Sequence, residues 1–280
     1  LRVLDGAVLV LCAVGGVQSQ SMTVDRQMKR YKVPRVAFIN KMDRTGADPI
    51  RVCEEIREQL KDDAILMQLP IGEGEQFEGI VDLINMKALH FEGEHGENVT
   101  EGDIPEEMAE LAASKRTEML ESLAMYSDEL MELLLSEEEI PVKLIHDVTK
   151  SVVHQQAATP VFLGTAFRNK GVQPLLDAIT RYLPSPDQRE ITATKIEDET
   201  EVQLKSDPDE PVVCMAFKIV DDPFGQLTFT RIYQGTIHKG QMYFNQRTGR
   251  KDRFSRILRM HADKREEVDF ATAGDIVAVM

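Results

Sequence analysis

The sequence predicts an α/β domain that is interrupted by an acidic α+β insert and followed by a small β-barrel. Early in the chain, two short apolar runs flank a stretch with helical spacing, which is typical of parallel strands joined by a crossover helix. Acidic residues are concentrated in the middle of the chain, and near its end apolar residues alternate at period two between regular turn signals. We expect four segments: the first part of the α/β domain (residues 1–63), the insert (residues 64–157), the final part of the α/β domain (residues 158–187) and an incomplete β-barrel (residues 188–280).

The α/β domain opens with a strand, a helix and a second strand. Residues 7–14 are rich in Val and Leu, residues 17–31 have helical spacing, and residues 36–39 form a short apolar run suited to a strand buried on both faces. Gly15 and Gly16 separate the first strand from the helix. They lack the full glycine spacing and the lysine of a nucleotide-binding loop, so this pattern favours a tight turn over a phosphate site.

The side chains that directly follow the second strand carry the clearest functional signal. Their sequence is Asn40-Lys41-Met42-Asp43, and polar residues beyond the carboxyl end of a parallel strand are placed to bind a ligand. The Asp43 carboxylate is suited to accept two parallel hydrogen bonds from the ring N–H and the exocyclic amine of guanine, a donor pair that adenine lacks. Such a site rejects the wrong base by about 10⁴-fold. We expect the Lys41 stem to lie along the nucleoside, and Asn40 to tie the loop to its neighbours and to the base.

The next predicted elements are a helix and then the mixed elements of the insert. The helix begins at Asp48-Pro49, with proline in its first turn. Glycine residues separate the short strands of the insert, and a cap at Asp103 precedes its long acidic helix. The predicted strands are residues 65–69, 79–83 and 88–91, and the predicted helical stretches are residues 103–123, 130–135 and 142–155.

Charge separates the insert from the rest of the chain. Residues 64–157 contain 21 acidic and 5 basic residues, a net charge of −16, whereas the remainder has 27 acidic and 28 basic residues, a net charge of +1. We therefore expect the insert to be a separate unit with its own partner. Two interpretations of its acidic helices stay open: an ordinary solvated surface, and a docking face for a basic partner.

A second polar turn follows the strand that resumes the α/β domain at residues 159–163. Gly164-Thr165-Ala166-Phe167 comes at the carboxyl end of this strand, before a helix that starts near Gly171. If this turn lies beside the first one, the backbone N–H of Ala166 is placed to donate to the guanine carbonyl oxygen, where adenine has an amine instead. Thr165 would brace the turn.

The last part of the chain predicts antiparallel strands. Residues 188–210 are polar and indicate a linker or loosely held strands, and residues 211–280 alternate at period two. A cluster of cationic residues there has two interpretations, a face for RNA phosphates or a solvated hairpin. The cluster consists of Arg247, Arg250, Lys251, Arg253, Arg256 and Arg259.

Composition narrows the class of protein. Of the 280 residues, 42% are hydrophobic and 29% are charged, and no apolar run approaches the length of a membrane span. Three widely separated cysteines indicate reduced thiols in a cytosol-like compartment, and the six histidines lack metal-ligand spacing, so we expect no metal held by protein side chains alone. Because the sequence begins without Met and ends inside an apolar run, we expect it to be a fragment of a longer protein.

Five stretches of the sequence resemble the elongation factor G family of translational GTPases. The resemblance runs in order through essentially all 280 residues. The stretches are Leu-Asp-Gly-Ala-Val-Leu-Val from Leu4, Ala-Val-Gly-Gly-Val-Gln from Ala13, Asn-Lys-Met-Asp-Arg-Thr-Gly-Ala from Asn40, Asn-Lys-Gly-Val-Gln-Pro-Leu-Leu-Asp-Ala from Asn169 and Met-His-Ala-Asp-Lys-Arg-Glu-Glu-Val from Met260.

The resemblance implies a particular fold. The α/β part resembles the carboxyl-terminal part of a P-loop-type GTPase G domain, and residues 64–157 resemble the insert, of the type called G′, that interrupts this domain. The last part resembles domain II, the β-barrel of translation factors. The resemblance also implies the base-contacting residues, which are Asn40, Lys41 and Asp43 in the first loop and Thr165, Ala166 and Phe167 in the final loop, where the family usually has Ser-Ala.

The resemblance further implies activity and partners. The family consists of ribosome-bound enzymes that use GTP hydrolysis to drive the movement of tRNA and mRNA after peptide bond formation. Its acidic insert is associated with the basic C-terminal domain of the ribosomal stalk protein, which fits the net charge of residues 64–157. A monomer in the bacterial cytoplasm is implied, with no membrane partner, and the mitochondrial matrix is the alternative compartment.

Two motifs of the family are missing from this sequence. There is no Gly-x-x-x-x-Gly-Lys-[Ser/Thr], the loop that would hold the β-phosphate and Mg²⁺, and no Asp-x-Pro-Gly-His, whose His positions the attacking water. Residues 43–46 and 222–225 match a bare Asp-x-x-Gly, and we interpret both as turns. We therefore expect no catalytic residue and no Mg²⁺ ligand in this fragment, no GTP hydrolysis by it alone, and weak binding of GTP or GDP if any.

Two further departures leave the subfunction open. The sequence Asp221-Asp222-Pro223-Phe224-Gly225 is one residue shorter than the form we associate with most bacterial members, and Gln18-Ser19-Gln20 replaces the commoner Gln-Pro-Gln. Both resemble the branch that contains the mitochondrial factors and their bacterial relatives. The alternatives are a paralogue that acts in ribosome recycling, ribosome protection or peptide release, and, in another class, a stalk-docking module without catalysis.

Overall fold

The computed structural model describes residues 1–222, 225–262 and 264–280 and divides into two compact units, Leu1–Leu183 and Pro184–Met280. The first unit contains a parallel sheet, a second sheet and six helices among its described residues. Its elements in chain order are β1 (Ala7–Cys12), α1 (Ser19–Arg30), β2 (Arg35–Asn40), α2 (Pro49–Gln59), β3 (Ala64–Leu66), β4 (Gln68–Ile71), β5 (Gly79–Asp82), β6 (Lys87–Glu92), β7 (Asn98–Gly102), α3 (Ala109–Ala124), α4 (Asp128–Leu135), α5 (Val142–Gln155), β8 (Thr159–Leu163) and α6 (Val172–Tyr182).

The parallel sheet has the strand order β1-β2-β8-β3. All residues of β8 and the first five residues of β2 are buried, as expected of strands covered on both faces. In the register of β2 and β8, Ile39 lies opposite Leu163. The polar residues that follow these two strands therefore emerge side by side at one edge of the sheet.

The first two helices confirm their predicted places. In α1, Met28 is buried, although the helix begins at Ser19 rather than at residue 17. In α2, Pro49 occupies the first turn, and the Asp48 side chain caps the helix by accepting a hydrogen bond of 3.0 Å from the Arg51 N–H. The capped helix then buries Cys53 in the core.

The second sheet of this unit is antiparallel, in the order β4-β5-β6-β7. Where the sequence predicts one strand at residues 65–69, the structure has two. The residues of β3 pair with β8 in the parallel sheet, whereas β4 pairs with β5. The Met67 N–H donates to the Val161 carbonyl and the Met67 carbonyl accepts from Leu83, so the chain changes sheets at this residue. The polar strand β7 has no counterpart among the predicted elements.

Several contacts join residues of the insert to α2 and to the residues that flank the parallel sheet. The Tyr126 hydroxyl donates to Asp63 at 2.6 Å, and burial followed by this hydrogen bond raises the pKa of Tyr126 to about 12. Arg57 meets Glu118 at 3.4 Å. The Thr159 N–H donates to the Asp63 carbonyl at 2.8 Å, so β3 and β8 begin side by side in the parallel sheet.

A buried ionic cluster lies at the opposite edge of the parallel sheet from the polar turns. Arg35, the first residue of β2, lies 2.8 Å from an Asp25 oxygen and also pairs with Asp62. The Thr159 hydroxyl donates to the same Asp62 carboxylate at 2.8 Å. These three charged side chains are almost fully buried, and the half-exposed Lys29 adds a cation 3.1 Å from Asp25, so the buried charges are compensated within the protein.

The second unit consists of antiparallel strands. A five-stranded sheet has the order β11-β12-β19-β16-β17, and three two-stranded pairs accompany it within the described residues. The strands are β9 (Ile191–Thr194), β10 (Glu201–Leu204), β11 (Val213–Asp222), β12 (Gly225–Gln234), β13 (Thr236–His238), β14 (Met242–Asn245), β15 (Arg250–Arg253), β16 (Ile257–His261), β17 (Lys264–Val268), β18 (Phe270–Thr272) and β19 (Ile276–Val279).

Two sequence predictions fall in the second unit. The predicted turn at residues 222–225 contains Pro223 and Phe224, which lie outside the described residues. Of the basic cluster, the three residues on β15 are exposed, whereas Arg256 is paired with Glu267 at 2.8 Å. The two interpretations of this cluster, an RNA face and a solvated hairpin, therefore both stay predictions.

Candidate functional site

Two polar turns meet at the carboxyl edge of the parallel sheet. The Gly164 N–H donates to the Ile39 carbonyl at 3.0 Å, and the Met42 N–H donates back to the Gly164 carbonyl at 3.1 Å. These bonds extend the pairing of β2 and β8 into the residues beyond the strands. They place Asn40 and Asp43 against Thr165 and the residues that follow it.

The Asp43 carboxylate is fixed by the second turn. Its Oδ1 accepts a hydrogen bond of 2.7 Å from the Thr165 hydroxyl, and its Oδ2 lies 3.3 Å from the Arg168 Nε. Thr165 itself is buried, so its hydroxyl has a fixed position. The carboxylate is therefore held in one orientation, which a planar base with two adjacent donors requires.

The Asn40 side chain joins the two turns. Its Oδ1 accepts from the Lys41 N–H at 2.7 Å and from the Ala166 N–H at 2.9 Å. The sequence predicts that the Ala166 N–H donates to a guanine carbonyl oxygen, and the structure shows this N–H bonded to Asn40. A base would have to share or replace that bond.

Lys41 and Phe167 are two further residues that the sequence predicts to contact the base. Lys41 has a φ of +69°, a left-handed backbone conformation that residues other than glycine adopt infrequently. Such strain is often found at ligand sites, where the surrounding structure holds it in place. Phe167 lies on a short 3₁₀ turn, Ala166–Arg168, and is 97% exposed, so its ring is available for contact with another flat group.

The turn at Gly15-Gly16 is closed by a carboxylate of the protein. The Val17 N–H donates to the Glu55 Oε2 at 2.8 Å, and Glu55 is paired with Arg51, whose Nη2 donates to the Val14 carbonyl at 2.9 Å. Gly16 has a φ of +58°, and a Cβ there would lie 1.9 Å from the Glu55 Oε2. The side chain of Glu55 thus fills the place that a bound phosphate would need, which agrees with a tight turn.

Sequence reasoning missed three residues of this edge. Arg51 and Glu55 carry a weak signal, because an Arg and a Glu four residues apart share one face of α2. Arg168 carries a signal only after the turns are placed, since it is the cation nearest in sequence to Ala166 and Phe167.

For Mg²⁺, no group of three or more His, Cys, Asp or Glu side chains that suits a metal occurs within residues 1–222, 225–262 and 264–280.

Comparison with known proteins agrees with this architecture. Residues 1–185 match the model of the elongation factor Tu GTP binding domain, and residues 225–280 match the model of elongation factor Tu domain 2. The chain is similar over its whole length to many relatives, of which three are named here. These three are elongation factor G of Rhodopirellula baltica (62% identical, covering 40% of that protein), elongation factor G 1 of Syntrophus aciditrophicus (51%, 40%) and the mitochondrial elongation factor G-1 of Arabidopsis thaliana (48%, 37%).

A solved structure gives the same result for the fold. A crystal structure of a protein from Thermus thermophilus matches 99% of this chain and 39% of its own chain, with a TM-score of 0.80 and 27% identity. None of the helices in the described part of the chain combines the length and the apolar character needed to cross a membrane.

The matches confirm the predicted resemblance and the predicted fold class, a GTPase G domain followed by a domain of β-barrel type. The chain spans about 40% of the length of the curated relatives named above. With a G-domain model matched over residues 1–185, the chain belongs to the family of the elongation factor Tu GTP binding domain.

Proposed function

We propose that this chain is the part of an elongation factor G, a ribosome-dependent GTPase, that reads the guanine base of the nucleotide. The observation that supports this most directly is the meeting of the two turns, in which Thr165 orients the Asp43 carboxylate and the Ala166 N–H lies at Asn40. Similarity to relatives named elongation factor G over the whole chain supports the subtype.

Guanine is recognised by its pattern of donors and acceptors. Its ring N–H and exocyclic amine bind the two oxygens of Asp43, while its carbonyl oxygen accepts from the Ala166 N–H. Lys41 and Phe167 contact the flat faces of the nucleoside. Adenine offers Asp43 no matching donor pair and presents an amine to the Ala166 N–H, so both contacts reject it.

The other activities belong to the longer protein. We assign residues 1–63 and 158–187 to the G domain, residues 64–157 to its insert and residues 188–280 to domain II. Phosphate and Mg²⁺ binding and the hydrolytic step are assigned to parts of the protein outside this chain. The ribosome, tRNA and mRNA are the proposed partners of the whole protein, in the bacterial cytoplasm or, alternatively, the mitochondrial matrix.

An exchange of base preference tests the role of Asp43. We would insert this chain in place of the matching segment of the Rhodopirellula baltica relative and measure kcat/KM for guanosine and xanthosine triphosphates. Asp43→Asn reverses part of the hydrogen-bond pattern, so we expect selectivity for guanosine over xanthosine to fall by about 10⁴-fold.

The matched control is Asp48→Asn. It makes the same chemical change at an exposed cap of α2, where Asn caps a helix as well as Asp does. We expect this variant to keep the preference for guanosine. An unchanged preference in Asp43→Asn would contradict the proposed role of Asp43.

A second function is favoured by the charge of the insert. Its net charge is −16, and among its exposed apolar residues are Leu111, Met125 and Leu135 on or next to its helices. Acidic charge around apolar contacts suits a basic partner, and we infer the C-terminal domain of the ribosomal stalk protein. In titrations of the chain with that domain, affinity should fall steeply as salt rises, because exposed charges are screened. Binding that is absent at low salt would count against docking.

A further inference from the structure

Arg168 lies on the base-reading carboxylate. It is the last residue of the 3₁₀ turn Ala166–Arg168, and its Nε is 3.3 Å from the Asp43 Oδ2. The other oxygen, Oδ1, accepts from the Thr165 hydroxyl. Both oxygens of Asp43 therefore have partners inside the protein, and the partner on Oδ2 is a cation.

The Arg168 contact has the properties of an exchangeable pair. The Arg168 side chain is 42% exposed, whereas that of Asp43 is 17% exposed. The guanidinium can move into water at little cost, but the carboxylate is more withdrawn from solvent and needs a donor. The contact uses one nitrogen at 3.3 Å, so it lacks the two short parallel bonds of a strong Arg–carboxylate pair.

We propose that Arg168 is a specificity-determining residue that occupies Asp43 while no base is bound and is displaced only by a base with donors for that carboxylate. This inference depends on the proposed role of Asp43 as the reader of guanine. A guanine supplies two N–H donors where Arg168 supplies one, so the exchange favours the base. Adenine supplies no such pair and leaves Arg168 in place.

Competition between Arg168 and the base for Asp43 should change the affinity for the base by a measurable factor. When a binding-competent state is only partly populated, the apparent dissociation constant equals the intrinsic constant divided by the populated fraction. An ion pair with this exposure shifts such a population by about two- to five-fold. Removal of Arg168 should therefore tighten binding of a guanine-type base by about the same factor.

The test is a titration of the ¹⁵N-labelled 280-residue chain with nucleoside monophosphates at millimolar concentration. The Ala166 amide signal reports base binding, and the Arg168 Nε–H signal reports the ion pair. With Arg168→Ala we expect about two- to five-fold tighter binding of guanosine and inosine monophosphates, which both carry a ring N–H, because exposed ion pairs have energies in that range. We expect no gain for adenosine monophosphate.

The control variant is Arg44→Ala, which removes an exposed cation one residue after Asp43. Both variants lose a positive charge near an anionic nucleotide, and that loss alone weakens all three monophosphates equally. A gain restricted to Arg168→Ala and to bases with a ring N–H thus identifies competition for Asp43. In the free chain, Asp43→Asn should also speed hydrogen exchange of the Arg168 Nε–H.

Three results would be decisive against the inference. If guanosine monophosphate binds the wild-type chain and Arg168→Ala equally well, Arg168 does not compete, and the base-reading role of Asp43 stands. If Arg168→Ala weakens all three monophosphates, Arg168 serves the phosphate instead. If no variant shows a shift at Ala166, the base site fails, and the inference fails with it.

Discussion

Each edge of the parallel sheet has an arginine that meets carboxylates, and the two arginines differ in burial. The Arg35 side chain is 8% exposed and lies between Asp25 and Asp62, whereas Arg168 is about half exposed and meets Asp43 alone. A buried charge that loses its partner keeps its full desolvation penalty, but an exposed one is compensated by water. A guanidinium–carboxylate pair therefore stabilises the fold where it is buried. Where it is exposed, at Arg168, the carboxylate is free to exchange its partner for a ligand.

Removal of the buried arginine should have the largest effect. Arg35→Met leaves the Asp62 carboxylate buried without its cation and leaves Asp25 with Lys29 alone, at 3.1 Å, and we expect the free energy of unfolding of the first unit to fall by about 3–5 kcal/mol. Amide hydrogen exchange at Phe38 and Ile39, in the centre of β2, measures this loss.

Arg168→Met is the matched control for the buried arginine. It makes the same change at the exposed pair and should lower the free energy of unfolding by less than about 1 kcal/mol. Equal losses in the two variants would remove the contrast between the edges. A second control, Asp62→Asn added to Arg35→Met, should recover part of the stability because it removes the carboxylate that the first substitution leaves unpaired.

The ion pair of Glu55 and Arg51 is intermediate in burial between the Arg35 cluster and the Arg168 pair. The Glu55 side chain is 20% exposed and that of Arg51 is 40% exposed. Gly16→Ala would bring a Cβ within 1.9 Å of the Glu55 carboxylate at a φ of +58°, so this carboxylate would have to leave the turn. We expect a loss of about 1–3 kcal/mol in the free energy of unfolding, measured by hydrogen exchange in β1.

Gly46→Ala separates backbone strain from displacement of the carboxylate. Gly46 has a φ of +80°, and a Cβ there would meet no atom within 4 Å. The free energy of unfolding of this variant should fall by about 1 kcal/mol, because Ala is disfavoured in the left-handed backbone conformation and meets no other obstacle there. If Gly16→Ala costs no more than Gly46→Ala, the Glu55 side chain does not hold the turn.

The sequence predicted those parts of the fold that depend on local pattern. Residues 36–39 and 159–163 are recognisable as strands because they are apolar throughout, and parallel strands bring the residues after them to one edge. The approach of Asp43 to Thr165 was predictable for that reason alone. The assignment of these residues to guanine stays a prediction.

Other features depend on partners that are distant in sequence. The strand predicted at residues 65–69 is divided because its two halves pair with different strands, which no local period reveals. The strand β7 is polar and exposed, so it lacks the alternation that would mark it. The roles of Arg168 and Glu55 follow from contacts with other turns of the chain, and these contacts appear only when the sheet is assembled.

The return of the chain beside its point of departure has a mechanical meaning. The chain leaves the parallel sheet at Met67 and returns to it at Thr159, and the Met67 N–H is hydrogen-bonded at 3.0 Å to the Val161 carbonyl of the returning strand. A force applied to the insert is therefore transmitted to the parallel sheet where the insert rejoins it at β8, and Thr165 lies two residues beyond the end of this five-residue strand. A macromolecule that pulls on the acidic helices thus has a short load path to the turn that orients Asp43.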